Sequence, residues 1–232
     1  MISESFKYMF NDENWKKKLA IGGIIGAIPI LNLALYGYMI DTIKLVLGGV
    51  EDKSPEFNIV NQFIEGIIGI VIISIYIIIP ISLLIIGYVF LGGSFLLILD
   101  DKTAGLGVMM MLIFILFLIL YMLCSILFAL IIPIALSHYV NTGKLSSIFE
   151  FKTLFSILKK TWLDILIFYI ILTIAIVILE VIIYMVALIF AMTVILIPVA
   201  IWIFGMLMYY ITTVSGYFYG KIYLKGVNEL NK

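Results

Sequence analysis

From Ile165 to Gly220 the chain carries a single charged side chain, Glu180, in a run of 56 residues. As one straight helix this run would extend about 84 Å. The hydrocarbon core of a bilayer is only about 30 Å thick, so the run must fold back on itself. The whole chain is 65% hydrophobic and 12% charged, with no polar block large enough for a soluble domain. The sequence therefore predicts an integral membrane protein with one membrane domain, residues 1–232.

Apolar residues are concentrated in four blocks, which are Leu19–Met39, Gly66–Leu99, Leu106–Ser137 and Trp162–Gly220. The second and third blocks each exceed the roughly 20 residues that a spanning helix needs, and the fourth is long enough for two crossings. The first block contains several glycines, Pro29 and Asn32. Such interruptions are typical of broken half-helices, which membranes tolerate where protein covers them.

Lysines indicate the orientation, because short cytoplasmic loops are enriched in basic residues. Those near block ends are Lys7, Lys16, Lys17, Lys18, Lys144, Lys152, Lys159, Lys160, Lys221, Lys225 and Lys232, whereas the link at Asp100 has only Lys102. This pattern predicts a multi-pass protein of the cell membrane with both termini in the cytoplasm. The N-terminus is then inside and the Asp100 link, which follows the second block, is outside. The first two blocks together must therefore cross the membrane an odd number of times. We expect the first block to be a re-entrant hairpin turning at Pro29–Asn32; the alternative is that the second block re-enters.

An internal echo joins residues 37–45 to residues 137–145, which share [Asp/Asn]-Thr-x-Lys-Leu at the end of an apolar block. Chance similarity between short Ile-rich segments is one explanation. The other is duplication, which predicts two parallel repeat units, 37–136 and 137–223. The arm and hairpin, 1–36, would precede them, and a tail, 224–232, would follow.

An amphipathic pattern covers residues 145–162, where an apolar stripe lies opposite Lys152, Lys159 and Lys160. It predicts an interfacial helix. Ser54-Pro55-Glu56 is typical of a helix start. The predicted fold class is therefore all-α: a polytopic transmembrane helical bundle with about four full spans, a re-entrant N-terminal hairpin and interfacial amphipathic helices.

Several short motifs resemble those of one known family. They are Asn14-Trp15-Lys16-Lys17-Lys18-Leu19, Ile21-Gly22-Gly23, Ile28-Pro29-Ile30, Gly37-Tyr38, Gly48-Gly49 and Ser54-Pro55-Glu56-Phe57. Over roughly the first 90 residues the sequence resembles the archaeal and bacterial integral-membrane family called domain of unknown function 4013. The family's basic residues after the Gly-Tyr pair are weakened here, because Asp41 and Thr42 precede Lys44. The resemblance implies a membrane topology and no activity.

Glu180 is the most informative candidate site residue, because a charge deep in hydrocarbon costs several kcal/mol on most scales. Tyr184 lies one turn further on and is placed to hydrogen-bond with it. Asp164 precedes Glu180 by about 24 Å along a helix, so Glu180 is expected near the outer end of a span if Asp164 lies at the inner surface. The alternatives for Glu180 are an interface acid, an ion- or proton-coupled site, and a helix-packing hydrogen bond.

His138, the only histidine, is expected at headgroup level, since one His without further ligands does not make a metal site. Asn32 either lines a polar entrance or caps a helix. The sequence contains no P-loop, nucleophile elbow or zinc-protease motif. We expect no cofactor, no metal and no nucleic-acid partner, and we expect membrane lipids as partners together with other membrane proteins or further copies of the chain.

Three functions remain open. The first is a non-enzymatic structural, accessory or partner-binding membrane component, which the scarcity of polar side chains in the spans favours. The second is a small transporter or channel with Glu180 near its pathway. The third is a lipid-modifying enzyme, which would need His138, Asp164 and Lys144 to converge.

Overall fold

Helices make up nearly all of this computed structural model, which describes residues 1–191 and 197–231, with the backbone alone at 186 and 188–191. The helices are α1 (Ile2–Tyr8), α2 (Trp15–Ala27), α3 (Leu33–Leu47), α4 (Ile59–Ile98), α5 (Ala104–Thr142), α6 (Phe151–Ala191) and α7 (Ile197–Leu230). Short 3-10 turns occupy Met9–Asn11 and Leu145–Phe149. Within the described ranges there is no strand, which confirms the all-α prediction.

Four helices, α4 to α7, are long and apolar enough to cross a membrane. This confirms the predicted four spans, with the fourth block divided between α6 and α7. The turn between them falls in residues 192–196, outside the described residues. The alternative in which the second block re-enters does not fit, because α4 continues as one helix for 40 residues.

The first block forms a helical hairpin. The 13-residue α2 and the 15-residue α3 are joined by a turn that contains Pro29 and Ile30. Ile30 has a φ of 72°, a left-handed conformation that a β-branched side chain rarely adopts. The break at the predicted position is therefore confirmed: each arm is too short to be a span of its own.

The chain divides into two compact units. The smaller one, Val71–Ile132, consists of the larger part of α4, the larger part of α5 and their link. Within it Phe90 stacks on Phe117, with ring centroids 5.7 Å apart. The predicted boundaries at residues 36, 136 and 223 stay a prediction.

The larger unit, Met1–Ile70 with Pro133–Lys232, is organised around α7. Helices α1, α2, α3 and α6 all pack against it. Phe168 of α6 stacks on Phe218 of α7 at 3.7 Å between ring centroids, and both are fully buried. The Trp202 indole N–H donates to the Ala20 carbonyl at 3.0 Å, which ties α7 to α2.

Glycines set how closely these helices approach. A Cβ on Gly26 of α2 would lie 2.7 Å from the Gly205 carbonyl oxygen of α7, and one on Gly205 would collide with the Gly23 carbonyl. A Cβ on Gly216 would lie 2.8 Å from the Met39 carbonyl oxygen of α3. Such backbone contacts are typical of helix packing in membranes, where small residues let two helices approach closely. The resulting dispersion attraction stabilises the packing, because the hydrophobic effect does little to join helices within lipid.

Two local predictions are corrected. Residues 145–162 do not form a separate interfacial helix: a 3-10 turn comes first, and the amphipathic stretch from Phe151 is the beginning of α6. Only part of its apolar stripe is buried, because Leu154 and Leu158 are covered whereas Phe151 and Phe155 are exposed. Likewise α4 begins at Ile59, after Asn58, whose side-chain oxygen accepts from the Asn61 amide at 3.3 Å. Ser54 remains in the preceding loop because its side chain binds elsewhere.

We predict that Gly205→Ala destabilises the protein by about 1–3 kcal/mol, because the added methyl forces α2 and α7 apart. The measurement is thermal unfolding in detergent. Gly92→Ala in α4 is the matched control, since a Cβ there meets no atom within 4 Å. The control should be neutral or slightly stabilising; equal losses in both variants would contradict the close-packing account.

Candidate functional site

Glu180 and Tyr184 lie on an exposed flank of α6. Tyr184 is 69% exposed, and Glu180 is also exposed. Although they are one turn apart, they do not hydrogen-bond to each other, and within the described part of the chain neither side chain has another polar partner. The predicted intrahelical bond is therefore absent, and both polar groups are free for a ligand or partner.

A groove runs beside Glu180 between α6 and α7. It has a volume of about 410 Å³ and is lined by Glu180, Ile183, Tyr184, Ala187, Ala200, Ile201 and Phe204. On the other side of Glu180 a shallower depression of about 290 Å³ is lined with Val181 and Met185. Apart from Glu180 and the Tyr184 hydroxyl, these surfaces are apolar.

Helix α6 continues to Ala191, so the expectation that a span ends near Glu180 stays a prediction. The groove neighbours of Glu180 include Ala200 and Ile201, which belong to the first turns of α7. Asp164, sixteen residues before Glu180 in α6, pairs with Lys225 near the last turn of α7, at 2.6 Å. Glu180 is therefore level with the first turns of α7, and Asp164 is level with its last turns.

His138 bridges three segments. Its Nδ1 lies 2.8 Å from the Tyr223 hydroxyl of α7, and its Nε2 lies 3.1 Å from the Glu150 carboxylate at the start of α6. The side chain is only 6% exposed, because these two contacts cover it, and its depth at headgroup level stays a prediction. The Glu150 carboxylate, the His138 imidazole and the Tyr223 hydroxyl are hydrogen-bonded in series, as in a proton relay. Tyr223 is buried, however, so a substrate has no access to its hydroxyl.

The cluster proposed for a lipid-modifying enzyme does not form one hydrogen-bonded group. His138 binds Tyr223 and Glu150, whereas Asp164 binds Lys225. Asn32 precedes α3, and its side chain makes no capping hydrogen bond. Within the described residues no group of three or more His, Cys, Asp or Glu side chains could hold a metal ion.

A buried ion pair that the sequence does not reveal holds the N-terminal arm to the loop before α4. Lys18 is 3% exposed, and its Nζ lies 2.7 Å from Asp12 Oδ2, 2.8 Å from the Ser54 carbonyl and 2.7 Å from Glu56 Oε1. The Ser54 hydroxyl and amide also donate to Asp12. We call Asp12, Lys18, Ser54 and Glu56 the clasp.

The clasp holds Asp12 in its ionised form. Burial alone raises the pKa of Asp12, but the hydrogen bonds from Lys18, Ser54 and the Asn14 amide outweigh it and lower the pKa to about 2. A second loop contact acts in the same direction, because the Lys221 ammonium holds the pKa of Glu51 below its usual range. Both pairs fasten the α3–α4 loop to other parts of the larger unit.

The sequence has no signal that selects Lys18 for the clasp. Lys16 and Lys17 are exposed, whereas Lys18 is buried on one helical face with Gly22 and Ile25, four and seven residues on. The residues at the same spacings from Lys16 and Lys17 are also apolar or glycine, so the spacing does not show that Lys18 points inward. Its partner cannot be read from the sequence, because Ser54 is 36 residues away.

The two copies of the echo make matching contacts. The Thr42 hydroxyl donates to the Tyr38 carbonyl at 2.8 Å, and the Thr142 hydroxyl to the His138 carbonyl at 2.9 Å. Tyr38 also hydrogen-bonds the hydroxyl of Tyr209 on α7, as His138 does that of Tyr223. These contacts support the echo; duplication of the larger units stays a prediction.

Comparison with known proteins gives one match. A family model described as "Protein of unknown function (DUF4013)" matches residues 21–192, more than half of the chain. No curated protein matches the chain. No solved structure matches it either.

We predict that Asp12→Asn weakens the fold in a pH-dependent way. Because the pKa of Asp12 falls from 3.8 to about 2 on folding, the ionised carboxylate stabilises the protein by about 2 kcal/mol above pH 4. This contribution decreases as the pH falls from about 4 through about 2. The measurement is the unfolding free energy of wild type minus that of Asp12→Asn across this range.

The control is Asp52→Asn, an exposed acid in the same α3–α4 loop. It should leave the pH profile close to that of the wild type, since exposed charges contribute little. A difference between wild type and Asp12→Asn that stays constant from pH 2 to pH 6 would argue against an ionised Asp12 in the clasp.

Proposed function

Since the chain belongs to the DUF4013 family, whose description assigns no activity, we propose from its structure that it is a non-enzymatic, partner-binding membrane component. The observation that carries this proposal is the exposed, unpaired carboxyl of Glu180 on a spanning helix. Asp164 and Glu51, by contrast, have cations beside them, in the pairs Asp164–Lys225 and Glu51–Lys221. Glu180 has no such neighbour within the described residues.

A carboxyl group facing lipid without a partner costs several kcal/mol. The cost decreases when another helix supplies a hydrogen-bond donor and excludes lipid from the site. The apolar groove beside Glu180 supports this role, because it offers a surface on which side chains of a neighbouring helix can pack.

The alternative is a small transporter or channel, which the groove beside Glu180 also favours. Such a protein needs a polar path to the carboxyl. Among the described residues that line the groove, Tyr184 is the one other polar side chain, and the rest are apolar. The geometry therefore supports partner binding better than transport.

The test of partner binding is the mass of the particle extracted from the native membrane in lipid nanodiscs. We expect a mass above the 26.2 kDa of one chain. Glu180→Leu should return the particle to the mass of a single chain, whereas Ile178→Leu, on an exposed flank about 160° around α6, should not. A wild-type particle of one chain that carries solutes across vesicles, with flux lost in Glu180→Gln, would contradict partner binding and support transport.

We further propose that both termini are cytoplasmic. If each of α4 to α7 crosses once, the α3–α4 loop, the α5–α6 link and the end of α7 lie on one side, and the link at Asp100 lies on the other. The Asp100 link has only Lys102, whereas the other thirteen of the fourteen lysines lie in the N-terminal arm, from Lys44 to Lys53, from Lys144 to Lys160 and in the last part of the chain from Lys221.

Cysteine labelling tests this orientation in a Cys124→Ser background. We expect an impermeant maleimide to label Asp101→Cys in intact cells, and to label Asn228→Cys only after the membrane is permeabilised. The reverse pattern would show that the topology is inverted.

A further inference from the structure

We propose that the partner at the Glu180 face is a second copy of this chain, packed through a parallel α6–α6 contact. In this contact the Tyr184 hydroxyl of each copy donates to the carboxylate of the partner's Glu180. The inference rests on the proposed function, and it names the partner and the atoms that bind.

The first support is that the surface is complementary to itself. Glu180 supplies an acceptor and Tyr184 supplies a donor on one exposed flank. A two-fold symmetric interface places the same patch on both sides, so each donor can face the other copy's acceptor. A cationic partner from the same spans is excluded, because no Lys or Arg occurs between residues 165 and 220.

The second support is depth in the membrane. Two copies inserted with the same topology are related by an axis along the membrane normal, so their α6 helices run in parallel and Glu180 lies at the same depth in both. Tyr184 begins about 6 Å further along the helix. Long helical side chains point back toward the N-terminus, so the Tyr184 hydroxyl returns to the level of the partner's Glu180.

The third support is the shape of the surface. The groove between α6 and α7 is lined in part by the small side chains of Ala187 and Ala200. Small residues allow helices in a membrane to approach closely. Glu180 lies between this groove and the shallower depression beside Val181, so apolar side chains of a second α6 have space on either side of the hydrogen bonds.

Disulfide formation tests the helix face. Thr173 lies seven residues before Glu180 on the same face and is exposed, whereas Ile171 is exposed on nearly the opposite face. With Cys124→Ser, purified protein in lipid vesicles should give disulfide-linked dimers on mild oxidation of Thr173→Cys but not of Ile171→Cys. Equal linking of both variants, or none in Thr173→Cys, would overturn the parallel α6 contact.

A double-mutant cycle tests the hydrogen bonds. Two interhelical bonds of average strength correspond to roughly eightfold weaker dimerisation when they are lost. We expect Tyr184→Phe and Glu180→Ala each to raise the dimer dissociation constant in vesicles by about this factor, and the double variant to lose no more than either single one. Fully additive losses, or an unchanged constant in Tyr184→Phe, would overturn the pairing.

The identity of the partner separates this inference from the proposed function. Thr173→Cys, linked in its native membrane, should give a product of twice 26.2 kDa. A native particle heavier than one chain but without this product, together with a purified chain that stays single in vesicles, would overturn the second copy and leave partner binding standing. A native particle of one chain, with no linked product, would overturn both.

Discussion

The close backbone approach of α2 and α3 to α7 is the constraint on which the larger unit depends. Gly26 meets Gly205, and Gly216 meets the Met39 carbonyl, so these helices pack at distances that a single methyl group would prevent. Lipid tails are as apolar as the side chains, and hydrophobic burial therefore does little to join helices inside a bilayer. Close contacts and internal hydrogen bonds take its place, and α7 receives most of both.

The same arrangement explains where polar side chains are found. Tyr209 and Tyr223 of α7 hydrogen-bond with Tyr38 and His138, respectively. In the clasp, Lys18 binds polar groups of the N-terminal arm and of the α3–α4 loop. Polar groups in the larger unit are thus largely satisfied by one another. Glu180 and Tyr184 are the contrast, because they lie on the flank of α6 that α7 does not cover. Our proposal that this flank contacts another chain rests on these two exposed polar groups in a helix that is long and apolar enough to span a membrane.

The helices could be predicted from the sequence because length and hydropathy decide them. Pro29 and its neighbouring glycines broke the first block where expected, and the uncharged run around Glu180 divided into two helices. The clasp could not be predicted, since the Lys18–Ser54 contact joins residues far apart in the chain. A local pattern was wrong where a distant partner competes: Ser54 was expected to start a helix, but its side chain binds Asp12. The contact between His138 and Tyr223 could not be predicted, because the two residues are far apart in the chain.

The central claim is that the Glu180 flank of α6 faces protein in the membrane. Spin-label accessibility tests it most directly, because oxygen dissolves in lipid and broadens the signal of a lipid-facing label. In a Cys124→Ser chain in vesicles, a label at Thr173 should show low oxygen accessibility and a label at Ile171 high accessibility. Equally high accessibility at both positions would contradict the account, since the flank would then face lipid alone.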